Sequence, residues 1–238
     1  MRLAVLQPSY LPWLGYFDQI DRVDVFVFYD DVQYDKNGWR NRNRIKGPNG
    51  PVWLTVPAKH SGRGLQRICE VEIDQQPGWQ TKHLRSVTQF YAKAPFRQTY
   101  MPELEDLLGR SWAKLVDLDI ALVETMMRWL GLQAEVVRSS TLGIEGERNE
   151  RLIRICRHFG ANHYLSGDAA KVYVDLDAFA AAGIRVEWQD YTHPTYPQLH
   201  GAFVSHLSVL DLLMNAGPES LAILRSGRPI DKATRVTL

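Results

Sequence analysis

Residues 30–45 read DDVQYDKNGWRNRNRI, placing two adjacent carboxylates, Asp30 and Asp31, beside Tyr34, Trp39 and the cations Lys36, Arg40, Arg42 and Arg44, with Lys46 following at once. Solvated loops seldom combine such aromatics with alternating charge, so the stretch has the composition of a binding site. Arginine forks grip phosphate or carboxylate through paired N–H groups, each contact contributing roughly 1.5–3 kcal/mol where water is partly excluded. On a strand, Arg40, Arg42 and Arg44 share one face and Asn41 and Asn43 the other, which suits a pyrophosphate or a sugar nucleotide. An amine nucleophile is protonated at neutral pH and needs a base, and closely held carboxylates can take that proton. Strand alternation sends Asp30 and Asp31 to opposite sides, so one of them faces the site, and Asp31 is the preferred one. Either could instead share Mg²⁺ with substrate phosphates, although the sequence itself requires no cofactor.

Further candidates lie along the chain. His60, His193 and His200 are alternative bases. The segment 58–64, AKHSGRG, reads as a ligand loop carrying Lys59, His60 and Arg63 among small residues. Ser166 opens SGDAAKVY, whose small side chains allow close backbone approach and whose Lys171 could meet a phosphate. Gln7 and Tyr10 follow the first apolar run, and Tyr196 and Gln198 lie in the aromatic and proline loop HPTYPQLHG at 193–201; all four join the substrate-binding set.

The elements that must position these residues are legible from apolar period. Short apolar runs at 3–6, 23–29, 134–140 and 163–167 predict buried strands, and 179–191 reads as a helix end, a glycine cap and a strand. A helix opens near Pro12 and runs to residue 20. The turn at 47–51 joins two strands into a hairpin, and 67–73 is expected to add another strand. Helical spacing dominates 79–132, with a stop at Gly131. Residues 147–160 form an amphipathic helix, so 134–167 makes a parallel strand, helix and strand unit, and 206–217 is a further helix. The fold class is therefore α/β, a Rossmann-like parallel sheet core with a β-hairpin insertion at 46–75 and a helical segment at 79–132, in one domain spanning 1–217 with a C-terminal extension at 218–238. Ligands of such sheets bind beyond the carboxyl ends of the strands. The ends after Leu6, Tyr29 and Leu165 should thus converge and gather Gln7, Asp31, Trp39, Arg42 and Lys171 around one cleft.

A chain of 238 residues with 45% apolar and 23% charged residues can bury a substantial core. Its net charge of +1 lacks the basic surplus of a general nucleic-acid binder, so the basic cluster suits a small anion. Cys69 and Cys156 form no metal or disulfide pattern and read as buried thiols of a reducing compartment. No apolar window is long enough for a membrane span and no signal peptide opens the chain, so a cytoplasmic location is expected.

Several stretches, QPSYLPWLGYF, DDVQYDKNGWRNRNRI, VWLTVP, YLSGDAAKVYVDLDAFAAAGI and HPTYPQLHGAFVSHLSVLDLLMNAG, together resemble the WbqC-like family in order, from residue 1 to about 217. That resemblance implies a place in bacterial surface-polysaccharide or natural-product pathways. Viral relatives install amino acids on activated hydroxymethyl-pyrimidines by displacing a phosphorylated leaving group, which implies a reaction type, while the near-neutral charge argues against a DNA substrate here. There is a fainter likeness to pantothenate synthetase in the proline turn after the first strand and in Gln33-Tyr34. The HxGH signature is missing, with Leu14-Gly15-Tyr16 in its place, so an ATP-dependent ligase ranks third. The leading expectation is a transferase joining a small amine, such as glycine or another amino acid, to a phosphorylated or activated sugar or nucleotide. The alternative is a non-catalytic binder of small anions or sugar nucleotides, or a pathway scaffold. Oligomeric state and metal use are left open.

Overall fold

A computed structural model describes residues 1–36, 38–60 and 62–229. Asn37 of the basic stretch, Ser61 of the 58–64 loop and residues 230–238 of the extension lie outside the described residues.

Strand β1, Arg2–Leu6, is the centre of a five-stranded parallel sheet. It leads through α1, Leu14–Asp21, to β2, Val25–Phe28, and these two strands pair with Leu3 opposite Val25 and Val5 opposite Val27. Side chains alternate across a strand, and the register turns that into two cores. Leu3, Val5, Val25 and Val27 point to one face, while Ala4, Phe26 and Phe28 point to the other. Both faces are apolar because helices cover both, as parallel sheets require. Each such fully buried side chain contributes roughly 1.5–3 kcal/mol of transfer free energy.

An antiparallel hairpin follows, β3 at Arg42–Gly47 and β4 at Gly50–Thr55. Its turn needs Gly50 at φ 110°, where a side chain would be strained. The helical segment comprises α2 (Trp79–Phe90), α3 (Arg97–Gly109) and α4 (Leu115–Leu130), the last closed by Gly131 in the left-handed conformation as its position predicts. The sheet resumes with β5, Glu135–Arg138, then α5, Arg148–His158, and β6, His163–Ser166. Helix α6, Leu176–Ala181, precedes β7, Arg185–Trp188. The strand order is β5-β2-β1-β6-β7. The chain therefore builds outward from β1 on one side, then crosses to the other, and the direction of winding reverses between β1 and β6.

Three expectations are corrected. No strand forms over 67–73; a single 3-10 turn at Ile68–Glu70 stands there instead. Its buried residues are Ile68, Val71 and Ile73, a spacing that does not alternate, and its amides bond in turn to Val32 O and Asp30 O. The helix expected from 206 begins at Val209, as α7, Val209–Ala216, because Ser208 Oγ accepts from Leu210 N and caps it. Finally, Cys69 is half-buried; only Cys156 is a fully buried thiol, and burial pushes it up to about 12.

The extension opens with α8, Ser220–Ser226, which packs on α1 and α7 with Leu224 buried. Arg225 and Arg228 pair with Asp21, and Arg228 with Asp18 at 2.6 Å. Among the described residues no helix is long and apolar enough to cross a membrane.

Candidate functional site

At the switch point between β1 and β6 lies a cavity of about 470 Å³. Its wall takes Leu6 and Ser9 from the end of β1, Gly167 to Ala169 from the end of β6, and Gln189 and Tyr191 from the end of β7. Helix α1 contributes Trp13, Tyr16 and Gln19, the segment before β3 contributes Trp39 and Arg40, and β3 itself contributes Asn43. His206 closes the rim. A cavity outside the carboxyl ends, where strand order reverses, is the place where open α/β sheets bind ligands.

The backbone around it is strained. Leu11, Asp190 and His206 have φ of 46°, 45° and 57°, a region that side-chain-bearing residues rarely occupy. All three line the cavity or adjoin residues that do, and such strain collects at functional sites. Helix α1 starts beside the cavity, with its N-cap Trp13 in the wall, and among the described residues no side chain caps its first amides, so the positive end of its dipole lies near the cavity.

Arg40 is the cavity's cation. Its Nη1 donates to Gln7 Oε1 at 2.8 Å, and its carbonyl accepts from Tyr10 N at 3.0 Å. Burial lowers the pKa of its guanidinium. Among the described residues no carboxylate lies within ion-pair distance of it. Beneath it is a polar nest that the sequence conceals. Asp119 of α4 is fully buried, and among the described residues neither of its oxygens has a hydrogen-bond partner, nor has Tyr16 Oη. Burial pushes the Asp119 carboxyl well above the usual range, against the opposing pull of Arg40, and raises Tyr16 as well. At its helical spacing Asp119 reads as part of the α4 core stripe; only its charge amid LVDLDIAL hints otherwise.

A stability prediction follows for Asp119. Its raised pKa means that the folded chain keeps a proton which the unfolded chain releases once pH rises past the ordinary carboxylate range near 4, so folding loses stability above that point. Asp119→Asn removes this loss. The variant should be more stable than the parent at pH 8, by on the order of 1–2 kcal/mol, and equal to it near pH 4. Urea titrations at the two pH values check this, and equal stability at both would remove the buried neutral carboxyl from the account.

The remaining candidates divide. Asp30 is fully buried and serves the fold: it accepts from Ser139 Oγ at 3.1 Å, Ser140 N at 2.9 Å and Ser140 Oγ at 2.8 Å. Asp31 pairs with Arg151 of α5 and accepts from Ser139 Oγ at 2.5 Å, and it is not part of the cavity wall. Arg40, Arg42 and Arg44 do not share one strand face, because β3 begins at Arg42. Arg42 lies 4.9 Å from the centre of the Trp53 ring, and Arg44 lies 5.6 Å from Trp53 and 5.7 Å from Trp39. Arg44 also donates to His206 O at 3.2 Å. Lys46 is buried, with Nζ on Gln198 Oε1 at 3.0 Å and Ala202 O at 2.6 Å.

Most of the others are bonded within the fold. Tyr10 is fully buried and its hydroxyl donates to His83 Nδ1 at 2.9 Å; burial lowers that imidazole to about 4, which keeps it neutral and able to accept. Tyr196 and Gln198 both donate to the buried Asp211, at 2.9 and 2.8 Å, beside Tyr91 at 2.7 Å. His200 meets Phe90 O at 2.7 Å, away from the cavity, and His193 sits among Trp13, Tyr196, Phe203 and His206. Lys171 pairs with Asp168 at 2.5 Å and lies over Trp188. Lys59 and Arg63 bind Glu72, which they pull down to about 2. Ser166 is buried at the end of β6, immediately before the cavity wall. Tyr34, Lys36 and His60 line a second, more open cavity of about 600 Å³ with Gln33, Asp35 and Gln66. The cavity takes the ends after Leu6 and Ser166 but not that after Tyr29, and of the five residues expected around one cleft only Trp39 lines it, with Gln7 bonded to Arg40; Asp31, Arg42 and Lys171 do not. Among the described residues no group of three or more His, Cys, Asp or Glu could hold a metal ion.

The model of the WbqC-like protein family matches residues 7–223, nearly the whole of this fold and every residue of the cavity wall but Leu6. The chain belongs to the WbqC-like protein family. The chain is similar to the uncharacterized protein Rv1507c of Mycobacterium tuberculosis (strain ATCC 25618 / H37Rv). It is 38% identical over 230 residues, covering 94% of this chain and 97% of its own. No solved structure matches this WbqC-like protein.

Proposed function

We propose that this protein transfers a small amine, such as an amino acid, to a phosphorylated or otherwise activated sugar or nucleotide held in the switch-point cavity, as a step in bacterial surface-polysaccharide or natural-product assembly. The observation that carries the reading is Arg40, a partly buried guanidinium in the cavity wall with no carboxylate at ion-pair distance among the described residues. Removing a cation from water is unfavourable unless an anion meets it, and the start of α1 adds to the same positive field. In the reaction the amine nitrogen bonds to the carbon that bears the phosphate. The carbon–oxygen bond breaks with its electron pair on the departing phosphate, and Arg40 offsets that charge. One amine proton passes to a base, and His206 is the imidazole on the cavity rim, its Nδ1 held at 2.9 Å from Ser205 Oγ.

A non-catalytic binder has one observation in its favour: Asp30 and Asp31 are both engaged in structural bonds, so neither strand-end carboxylate is poised as a base. Incubation with sugar nucleotides and a mixture of amino acids, followed by mass spectrometry, separates the readings. A transferase yields a new mass equal to donor plus amine less the phosphorylated leaving group, and His206→Asn lowers its rate by about 10²-fold while substrate binding persists. Binding of the donor without any new mass favours the binder.

A further inference from the structure

The amide and acid groups that line the cavity are largely engaged within the protein. Gln189 donates to Gly15 O at 2.6 Å and to Asp18 at 3.0 Å, and accepts from Gln19 at 2.9 Å. Asn43 donates to Leu11 O and accepts from Arg44 N, both at 2.8 Å, and Asp168 is paired with Lys171. A bare sugar is recognised through its many hydroxyls, and groups already bonded have little capacity left for them. The cavity instead offers ring surface, and its volume of about 470 Å³ is that of a small organic ligand rather than of phosphate alone.

The rings are not equivalent. Trp13 is stacked on His206 at 5.1 Å and on His193 at 6.2 Å, with Tyr191 edge-on at 5.8 Å. Trp39 directly precedes Arg40, lines the same cavity and keeps 44% of its surface exposed. Trp53, 5.2 Å away, and the Arg44 guanidinium steady its indole from outside the cavity.

We infer that the ligand of this cavity is a nucleotide whose base stacks on Trp39 while its phosphate meets Arg40, so that the activated substrate is a nucleotide or a nucleotide-linked sugar rather than a plain sugar phosphate. This rests on the anion site proposed above. Every nucleobase has a face that can stack on an indole, and such stacking changes affinity by roughly tenfold or more when the ring is removed.

Calorimetric titration of the full chain with UMP, AMP, ribose 5-phosphate and uridine tests the inference. Either nucleotide should bind at least tenfold more tightly than ribose 5-phosphate. Trp39→Leu should erase that preference and leave ribose 5-phosphate affinity within about twofold, while Trp39→Phe, which keeps a ring, should retain part of it. Arg40→Gln should weaken both nucleotides and ribose 5-phosphate but leave uridine unchanged. If the parent protein binds ribose 5-phosphate as tightly as UMP and AMP, or Trp39→Leu keeps the preference, the nucleobase assignment is overturned and the anion site stands. If Arg40→Gln changes nothing, or no phosphate binds at millimolar concentration, both fall together.

Discussion

Replacing Arg40 with glutamine is expected to weaken binding of a phosphorylated ligand by about 2–3 kcal/mol, roughly 30- to 150-fold in affinity. The size of the effect comes from placement. Arg40 is partly buried in the cavity wall, and among the described residues its side chain donates to a neutral amide, Gln7 Oε1, and has no carboxylate at ion-pair distance, so a ligand phosphate meets a charge that no ion pair holds. Arg40→Lys should recover charge without the fork and restore affinity in part. Raised salt should weaken the ligand modestly, without the steep dependence of a protein that displaces many counterions from DNA. Titrations with inorganic pyrophosphate at two salt concentrations measure all three quantities. Unchanged affinity in Arg40→Gln would move the anion elsewhere, and the second cavity with Lys36 and His60 is the next place to look.

Arg151→Met is expected to destabilise the fold by about 3 kcal/mol, because it leaves the Asp31 carboxylate nearly buried and without its ion pair. The two side chains are only 11% and 12% exposed, so solvent screens the pair little. Arg151 also lies over the Tyr29 ring at 5.1 Å and donates to Ile144 O at 3.0 Å, tying the end of β2 to α5. For a chain of this length the loss corresponds to a drop in Tm of roughly 6–12 °C. The double variant Arg151→Met with Asp31→Asn should recover most of it, since the uncompensated charge is gone. Thermal denaturation of the single and double variants provides the measurement. No recovery in the double variant would mean that Arg151 acts through packing alone.

The hairpin explains how one basic stretch serves several ends. Asn41, Asn43 and Ile45 turn inward, where Asn41 Nδ2 donates to Val56 O and Asn43 Nδ2 to Leu11 O. The first closes the base of the hairpin, and the second, with Tyr10 N on Arg40 O, pins it to the segment after β1. They thereby bring Trp39 and Arg40, immediately before β3, against the switch point. Arg42 and Arg44 are left outside on the indoles, and Lys46 is drawn into carbonyls of the 198–202 loop.

Period-two and period-3.6 patterns determined, from sequence alone, the parallel core, the hairpin and the three-helix segment, because apolar faces must be buried wherever the chain goes. Local composition also determined that 30–45 carries the site's cation and indole, since Trp39 and Arg40 stand there in the open. What only the tertiary structure decided is which charge meets which. Asp31 lies 120 positions from Arg151 and Asp30 about 110 from Ser140, and no local pattern announces pairings over such separations. Asp119 sits on a helical stripe that reads as core, and its electrostatic coupling to Arg40 and Tyr16 exists only in the folded chain. Sequence fixes what each side chain can do; long-range packing settles which of them keep water, which lose it to a partner, and which, like Arg40, line the cavity with no ion pair among the described residues.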